Sequence, residues 1–331
     1  MVIGRLKQFA KKSKTIVIAY HIWDDYRTKR KFLKGNFESA SGSTHKQFAI
    51  SDSLKYIDNV FNDYLKYSGL STEDIQGKKI LEIGPGDNFG VALKFLVNGA
   101  EQVVSLDKFF SERDPKQQLQ IYEAMREGLN DQQKYIFDEV ISFGDTIEFN
   151  AKKLKYIYGH GIEEAGGMFE AESSDFIVSR AVVEHLYDTD TAFQVMNNLL
   201  IKGGYMLHKI DLRDHGLFTE GGMHPLTFLT IPDPIYKLMT YNCGKPNRRL
   251  VNYYKHKMEE LGYGMKIFVT HLIGREEELI PHKETLEFNA DYSTSTISIL
   301  QQIRPKLIRR FKNVPDEELM IAGIFLITKK L

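Results

Sequence analysis

The sequence is poor in cysteine, because Cys243 is the only one among 331 residues. One thiol can form no disulfide within the chain and no zinc site made of several cysteines. A reducing, cytosolic compartment is the simplest interpretation. Nothing in the sequence around Cys243 indicates an activated thiol, so we interpret it as a bystander and not as a nucleophile.

An excess of charge and long apolar runs are also absent. The 44 Lys and Arg residues balance 44 Asp and Glu residues, so no overall field attracts the chain to nucleic acid. The apolar stretch at residues 15–23 is far shorter than the roughly 20 residues that cross a bilayer, and no signal peptide is recognisable. We therefore expect a cytoplasmic protein that has no membrane span and no nucleic-acid partner.

Charge is uneven only near the N-terminus, where ten Lys and Arg residues accompany two Asp residues within the first 34 positions. Two interpretations stay open. The segment is either a solvated, partly frayed extension, or it contacts an anionic partner such as a lipid surface or a phosphorylated substrate. Residues 1–45 show no regular pattern, so we expect an irregular lead-in.

The most informative segment is ILEIGPGDNFG at residues 80–90. Ile80, Leu81 and Ile83 form a short apolar run that is typical of a buried strand in a parallel sheet. The turn Gly84-Pro85-Gly86 follows at once, and glycine there lets a ligand approach the backbone. Residues 91–97 continue as an apolar helix. Strand, glycine turn and helix predict the nucleotide-binding start of a doubly wound α/β fold.

The same turn limits which nucleotide is bound. A dinucleotide fingerprint needs glycine at its first, third and sixth positions. In this sequence those positions hold Gly84, Gly86 and Phe89, so the sixth position does not match the fingerprint. No Gly-Lys-Ser/Thr follows, which excludes a P-loop. A second apolar run ends at Asp107, 23 residues after Gly84, where a carboxylate accepts hydrogen bonds from ribose hydroxyls. Nicotinamide enzymes share that carboxylate, so it indicates a nucleoside without naming the cofactor.

An acidic strand end followed by Gly-x-Gly resembles motif I of the class I S-adenosylmethionine-dependent methyltransferases. Residues 154–162, 175–187 and 199–207 resemble the later motifs of that family, in the family's order. The resemblance implies S-adenosylmethionine as the cofactor and a seven-stranded, mostly parallel, Rossmann-like sheet. In the family the acidic residue helps to hold the cofactor's amino group, and the bend at residues 160–162 lies against the adenine. The cofactor-binding residues that it implies are Glu82, Gly84, Pro85, Gly86, Asn88, Asp107, Lys108, His160, Gly161, Ile162, Arg180 and Ala181.

The spacing of apolar residues predicts how the chain is divided. Residues 1–75 form the basic extension followed by cap helices, because residues 48–67 carry apolar side chains at helical spacing. Residues 76–331 form the methyltransferase domain, in which residues 267–273 and 320–328 are expected to pair as antiparallel edge strands. The domain carries insertions at about 109–149, 213–262 and 274–318. The first is longer than a crossover helix requires, so we expect one or two surface helices beside the site.

The densest polar cluster is HKIDLRDHG at residues 208–216. Methyl transfer to oxygen or nitrogen needs a deprotonated acceptor, and a histidine oriented by a carboxylate is the usual general base. The candidate catalytic residues are therefore His208, Asp211, Asp214, His215 and, after the fourth strand, His185. His208 could equally be a core histidine, and His185 could order the start of a helix. The spacing matches no tight metal motif, so we predict no metal.

From position 208 to position 263 the sequence resembles, more loosely, methyltransferases encoded with bacterial surface-polysaccharide genes. Those pair H-x-I-D-L-x-D-H with a later Asn-Arg-Leu segment, here Asn247-Arg248-Arg249-Leu250. The resemblance implies a sugar or another hydroxylated small molecule as the acceptor. Arg248 and Arg249 either clamp a phosphate or carboxylate on it or are surface charges.

The leading hypothesis is O-methylation of such an acceptor by direct transfer with general-base assistance. One alternative is an NAD-dependent oxidoreductase, which Phe89 at the sixth position disfavours. Another is a methyltransferase-like binding module without turnover. Nucleic-acid modification is disfavoured by the neutral charge. The acceptor, the atom methylated and the oligomeric state cannot be read from the sequence.

Overall fold

The computed structural model describes residues 11–39, 42, 44–144, 146–284 and 294–331. The first ten residues, with two of the ten basic ones, and part of the predicted 274–318 insertion lie outside these ranges. The helices of the described residues are α1 (Lys14–Phe32), α2 (Ile50–Ser68), α3 (Gly90–Val97), α4 (Pro115–Glu127), α5 (Asp131–Val140), α6 (Thr189–Leu199), α7 (Asp233–Thr240), α8 (Val251–Glu260), α9 (Thr294–Ile303), α10 (Arg309–Lys312) and α11 (Asp316–Leu319). The strands are β1 (Glu38–Ser39), β2 (Lys79–Ile83), β3 (Gln102–Asp107), β4 (Phe110–Ser111), β5 (Ile141–Phe143), β6 (Ile147–Phe149), β7 (Leu154–Tyr158), β8 (Ser174–Arg180), β9 (Leu200–Asp211), β10 (Tyr263–Leu272), β11 (Lys283–Glu284) and β12 (Ile321–Lys330).

Eight strands form the main sheet, in the order β11-β10-β12-β9-β8-β2-β3-β7. The five strands from β9 to β7 run parallel, while β12 pairs antiparallel with both β9 and β10. The predicted doubly wound, mostly parallel α/β sheet is confirmed, and so is its antiparallel edge pair. The eighth strand, β11, was not predicted because two residues are too few for an apolar pattern to show.

Both faces of the sheet are buried, because neighbouring residues of a strand point to opposite faces. On β2, Ile80 packs in the cluster that includes α2, α3, α4 and α5, whereas Leu81 packs in the cluster that includes α6 and α8. Burying a side chain of this size contributes about 1.5–3 kcal/mol. The layers hold the parallel strands rigidly, so that their C-terminal ends meet at one edge of the sheet.

Helix α2 forms where the apolar spacing predicts it. Ile57, Phe61 and Tyr64 recur three or four positions apart and are each at most 4% exposed. Gly69 ends the helix with a φ of +75°, a conformation that glycine adopts without strain. The helix covers the sheet beside the glycine turn and carries Tyr56 to the site described below.

Helix α1 lies where the sequence predicts an irregular lead-in, so that prediction is wrong. The helix has no apolar stripe, and its buried side chains are Val17 and Asp25. The Asp25 carboxylate accepts hydrogen bonds from the backbone N–H groups of Asn242 (2.6 Å) and Cys243 (3.1 Å), 217 and 218 positions away. α1 also packs along α7. Its stabilising contacts are therefore distant in sequence, and no local pattern could show them.

The described residues contain no helix with both the length and the apolar composition that a membrane span requires. Between β3 and β7 the chain forms α4, α5 and a hairpin of β5 and β6. Both helices were predicted, but they are not purely superficial, because Tyr122 and Phe137 are at most 1% exposed. The segment after β9, predicted as an insertion, contains α7 and also α8, which covers the sheet.

Candidate active site

A cavity of about 480 Å³ lies at the C-terminal ends of the parallel strands, and its volume is typical of a small-molecule site. Its walls come from the turns after β2, β3, β7 and β8, from the segment before α2, and from residues 243–245 after α7. Twelve predicted residues line it: Gly84, Pro85, Gly86, Asp107, Lys108, His160, Gly161, Ile162, Arg180, Ala181, His185 and His215. Five others do not line it: Glu82, Asn88, His208, Asp211 and Asp214.

Neighbouring atoms leave no room for a side chain at either glycine of the turn. Gly84 and Gly86 have φ angles of +71° and +69°. A Cβ atom on Gly84 would lie 2.4 Å from Cγ2 of Val182, and one on Gly86 would lie 2.8 Å from the carbonyl oxygen of Gly42. Local packing thus accounts for glycine at both positions, and the two residues leave main chain at the cavity wall.

A segment before α2 covers this turn, and it is not among the predicted site residues. Asp87, which is 1% exposed, accepts hydrogen bonds from the backbone N–H groups of His45 (3.2 Å) and Lys46 (2.9 Å). Its own N–H donates to the carbonyl of Gly42 (3.2 Å). Gly42 and Thr44 consequently line the cavity. An acidic residue directly after the Gly-Pro-Gly turn was the one available signal for this anchor.

Asp107 ends β3 with its carboxyl group at the cavity wall. The carboxylate accepts a hydrogen bond from the N–H of Phe109 (2.9 Å). Burial raises the pKa of Asp107 to about 6, against the lowering effect of that bond and of nearby Arg113. A buried acceptor whose oxygens face a cavity is suited to bind hydroxyl groups.

Phe89, at the sixth position where a dinucleotide fingerprint has glycine, belongs to the core. It is 4% exposed, and its ring packs edge-on against Tyr156 with centroids 5.0 Å apart. The guanidinium of Arg113 lies over both rings, at 4.3 and 4.4 Å, and donates to the carbonyl of Gly86 (3.1 Å). Phe89 therefore helps to hold the arginine that supports the glycine turn.

Glu82 and Asn88 lie behind the turn, in the wall of a separate cavity of about 50 Å³. Glu82 accepts a hydrogen bond from the hydroxyl of Ser105 (2.7 Å), and burial raises its pKa to about 7 despite that bond. Asn88 donates to Gln118 (3.0 Å) and accepts from Gly90 (2.6 Å). The small cavity shares Gly84, Pro85 and Arg180 with the main one, but both side chains reach only the small one.

Arg180 links the cavity to an ion-pair network. Its Nη1 donates to Oδ2 of Asp63 on α2 (3.0 Å), and the same oxygen accepts from Lys209 Nζ (3.1 Å). Lys209 also pairs with Glu278, which lies 2.6 Å from Nε2 of His282. These contacts fix the direction of the Arg180 side chain.

His185 and His215 form a second part of the cavity wall. Their rings meet edge to face with centroids 4.7 Å apart. The carboxyl of Glu184, which is 1% exposed, lies beside them, with Oε1 3.8 Å from Nε2 of His215. Burial and then the neighbouring His215 lower the pKa of His185 to about 3, and burial raises the pKa of Glu184 well above its usual range. Two imidazoles of the wall thus lie beside one buried carboxyl group.

Asp211 supports this wall from outside the cavity. Its carboxylate accepts hydrogen bonds from Nε (2.9 Å) and Nη2 (2.5 Å) of Arg213. Its Oδ1 lies 3.8 Å from Nε2 of His215. Although burial opposes it, the Arg213 contact lowers the pKa of Asp211. Asp211 is therefore placed to orient His215.

His208 and Asp214 are corrections to the predicted catalytic set. His208 is fully buried in β9, its Nδ1 lies 2.8 Å from the hydroxyl of Ser179, and burial lowers its pKa to about 3. Asp214 is 2% exposed and accepts hydrogen bonds from the N–H groups of Phe218 and Thr219 (2.8 and 2.9 Å), which hold the turn after β9. Neither residue lines the cavity, so neither faces the space where the other predicted residues meet.

A second cavity of about 390 Å³ adjoins the first and shares His185, Leu186, Tyr187 and Lys245 with it. Arg248 and Arg249 line it, but both have protein partners. The Arg248 guanidinium lies 3.7 Å over the ring of Tyr236 and pairs with Asp233 (2.5 Å), while Arg249 pairs with Asp190 (3.4 Å). Its remaining cationic lining residues are Lys237, Lys245 and Arg310.

Three residues that line the two cavities are not glycine and yet have a positive φ angle. Ala181, His215 and Arg248 adopt φ angles of +54°, +50° and +63°, a region that residues other than glycine rarely occupy. Such strain persists only where the surroundings impose it, and it concentrates at functional sites. None of these angles could be read from the sequence.

Comparison with known proteins identifies the family of the chain. A family model described as "Methyltransferase domain" matches residues 55–262, which include the glycine turn, Asp107, β8 and β9. No curated protein matches the chain. Among solved structures, the chain is similar to the CurJ carbon methyltransferase (12% identity, 77% of this chain and 49% of that one, TM-score 0.34).

Two further solved structures are similar to the chain. One is Haemonchus contortus phosphoethanolamine N-methyltransferase 2 in complex with S-adenosyl-L-methionine (15% identity, 82% of this chain and 52% of that one, TM-score 0.41). The other is the YcgJ protein of Bacillus subtilis (12% identity, 82% and 97%, TM-score 0.41). The chain spans about half the length of the carbon methyltransferase and of the phosphoethanolamine enzyme.

Proposed function

The chain belongs to the methyltransferase-domain family and its cofactor is S-adenosylmethionine, and from this premise we propose that it methylates a hydroxyl oxygen of a small-molecule or sugar acceptor. One observation carries the proposal. The cavity that contains the glycine turn and Asp107 also contains His185 and His215. Groups suited to hold a nucleoside and groups suited to activate an acceptor thus share one space.

The residues of the cavity fit the cofactor. The glycine turn presents main chain to the cavity, and Asp107 is a buried acceptor for ribose hydroxyls. Residues 160–162, after β7, supply the part of the wall that the family resemblance places against the adenine. Lys108, whose Nζ lies 4.3 Å over the ring of Tyr187, fixes a further wall residue. S-adenosylmethionine supplies an electrophilic methyl group on a sulfonium.

The chain's own residues would prepare the acceptor. His215 is 25% exposed at its side chain, lines the cavity and is held by Asp211. We assign it the role of general base that takes the hydroxyl proton as the oxygen bonds to the methyl carbon. Asp211 orients the imidazole, while His208 and Asp214 take no part.

The adjoining cavity supports an acceptor rich in polar groups. It is reached past His185 and Lys245, and its lining carries Asn247, Thr189 and Thr240 besides the charged residues. Hydroxyl and amide side chains can pair with the hydroxyls of a sugar. Because Arg248 and Arg249 already have partners, we assign them to the shape of this cavity and not to an anion clamp.

The test is methyl transfer from S-adenosylmethionine labelled with tritium in the methyl group. The acceptors offered are free sugars, nucleotide sugars and their amino-sugar analogues, with products identified by mass spectrometry. We expect label in an O-methyl ether, and we expect His215→Asn to lose transfer while it retains S-adenosylhomocysteine binding. Label found only on amines would contradict oxygen as the acceptor atom.

A further inference from the structure

The cluster of Glu184, His185 and His215 has a property that a general base alone does not require. Each residue offers one ligand atom, and the three atoms lie within 4.8 Å of one another. Two buried atoms of the cluster, Oε2 of Glu184 and Nδ1 of His185, have no hydrogen-bond partner among the described residues. An unpaired buried polar atom is unfavourable, and a water molecule or an ion beside it supplies the missing partner.

We propose that Glu184, His185 and His215 bind a divalent first-row transition-metal ion, which coordinates the acceptor hydroxyl. Two imidazoles and one carboxylate are a donor set that such ions favour, and three protein ligands leave positions open for substrate oxygen. His185 and His215 line the cavity, so the open positions face the space that the acceptor would enter. The catalytic role of the ion depends on the proposed function, whereas the presence of a metal site does not.

A second cluster of possible ligand residues in the described chain already contains a cation, and the comparison shows why it needs no metal. Asp63, Glu278 and His282 also lie within 4.8 Å of one another. There, however, the ammonium of Lys209 pairs with both carboxylates, at 3.1 Å from Asp63. A cation is already supplied by the chain, so that cluster needs no metal. Within the described part of the chain, no Lys or Arg forms an ion pair with Glu184, and the nearby Arg213 pairs with Asp211.

The ion would change how the acceptor is activated. Coordination to a divalent ion lowers the pKa of a hydroxyl group, as it lowers that of metal-bound water. Its proton passes to water, the oxygen forms a bond to the methyl carbon, and the carbon–sulfur bond breaks with its electron pair left on sulfur. With the ion bound, His215 serves as a ligand, and the general-base role assigned to it above applies to the metal-free protein. The backbone strain at His215 serves this geometry, because its φ of +50° sets where the imidazole projects.

The test uses the full chain after dialysis against EDTA, with Mn²⁺ as the probe and electron paramagnetic resonance to count free Mn²⁺. We expect one saturable site, weakened at least about tenfold by Glu184→Gln and by His215→Asn. Asparagine tolerates the left-handed backbone at 215, so that variant should fold. His256→Asn, on the exposed face of α8, is the matched control and should bind Mn²⁺ normally.

S-adenosylhomocysteine titration of each variant separates this proposal from the previous one. Normal S-adenosylhomocysteine binding without any Mn²⁺ site at millimolar metal, or an Mn²⁺ site unaffected by both variants, would overturn the metal site and leave the methyltransferase intact. Failure of wild-type protein to bind S-adenosylhomocysteine would instead overturn the proposed function. Methyl transfer that EDTA leaves unchanged would overturn the catalytic role of the ion.

Discussion

Replacing Asp107 with asparagine should make the protein more stable and its cofactor site weaker. Burial raises the carboxyl pKa from its ordinary value of 3.8 to about 6. The difference is about 2.2, and one pKa unit corresponds to 1.36 kcal/mol, so the ionised group destabilises the folded state by about 3 kcal/mol. Asparagine keeps an acceptor for the N–H of Phe109 and carries no charge. The stabilisation by Asp107→Asn should approach that value as an upper limit.

The pH dependence follows from the direction of the shift. Below about pH 4 the carboxyl is protonated in both folded and unfolded chains and the destabilisation is absent. Between pH 4 and 6 the unfolded chain ionises first, so the penalty grows, and above pH 6 it is complete. Urea unfolding should therefore show Asp107→Asn more stable than wild type at pH 7.5, with little difference at pH 4. Exposed Asp52→Asn is the control and should show neither effect.

The same variant should bind S-adenosylhomocysteine about 1–3 kcal/mol more weakly at pH 7.5, the scale of a hydrogen bond to a charged group. Calorimetric titration measures this loss. Wild-type affinity should fall as the pH drops through 6, whereas the affinity of Asp107→Asn should stay flat. A variant that is less stable than wild type at pH 7.5, or one with unchanged affinity, would refute the placement of a strained, buried carboxylate against the cofactor.

Three other substitutions test the surrounding structure. Gly86→Val should leave the circular dichroism spectrum intact but abolish S-adenosylhomocysteine binding, because its Cβ would strike the carbonyl of Gly42 and displace the segment over the turn; normal affinity would show that this segment is dispensable. Asp214→Ala should lower the free energy of unfolding, measured in urea, by about 3 kcal/mol, because buried N–H groups lose their acceptor. A variant that loses turnover but keeps its stability would indicate that Asp214 takes part in catalysis. Asp25→Ala should accelerate hydrogen exchange in residues 242–243 by releasing them from α1, and unchanged exchange would mean that α1 does not hold this wall.

Local sequence predicted the sheet, and most of the residues predicted to bind the cofactor line one cavity. The glycine turn and Asp107 follow directly on apolar strands, and parallel strands end at one edge, so proximity along the chain and topology together bring them to one cavity. The same reasoning could not predict the hydrogen bonds of Asp87, because its partners lie about 40 positions earlier in the chain. Nor could it predict α1, whose helix depends on Asn242 and Cys243.

The acceptor half was harder because a polar cluster in sequence is not a cluster in space. On β9, alternation sends His208 into the core while Asp211, at the strand's end, reaches His215. Asp214 looks catalytic by residue type, yet its partners are the N–H groups of the next turn. Cys243 remains unsuited to act as a nucleophile although it lines the cavity, because burial raises its thiol pKa to about 12.

Calorimetric titration of the wild-type chain with S-adenosylhomocysteine, in parallel with NAD, tests whether the cavity binds the methyl-donor cofactor. We predict saturable binding of one S-adenosylhomocysteine per chain, displaced by S-adenosylmethionine, and no binding of NAD. Binding of NAD with no response to S-adenosylhomocysteine would contradict the account.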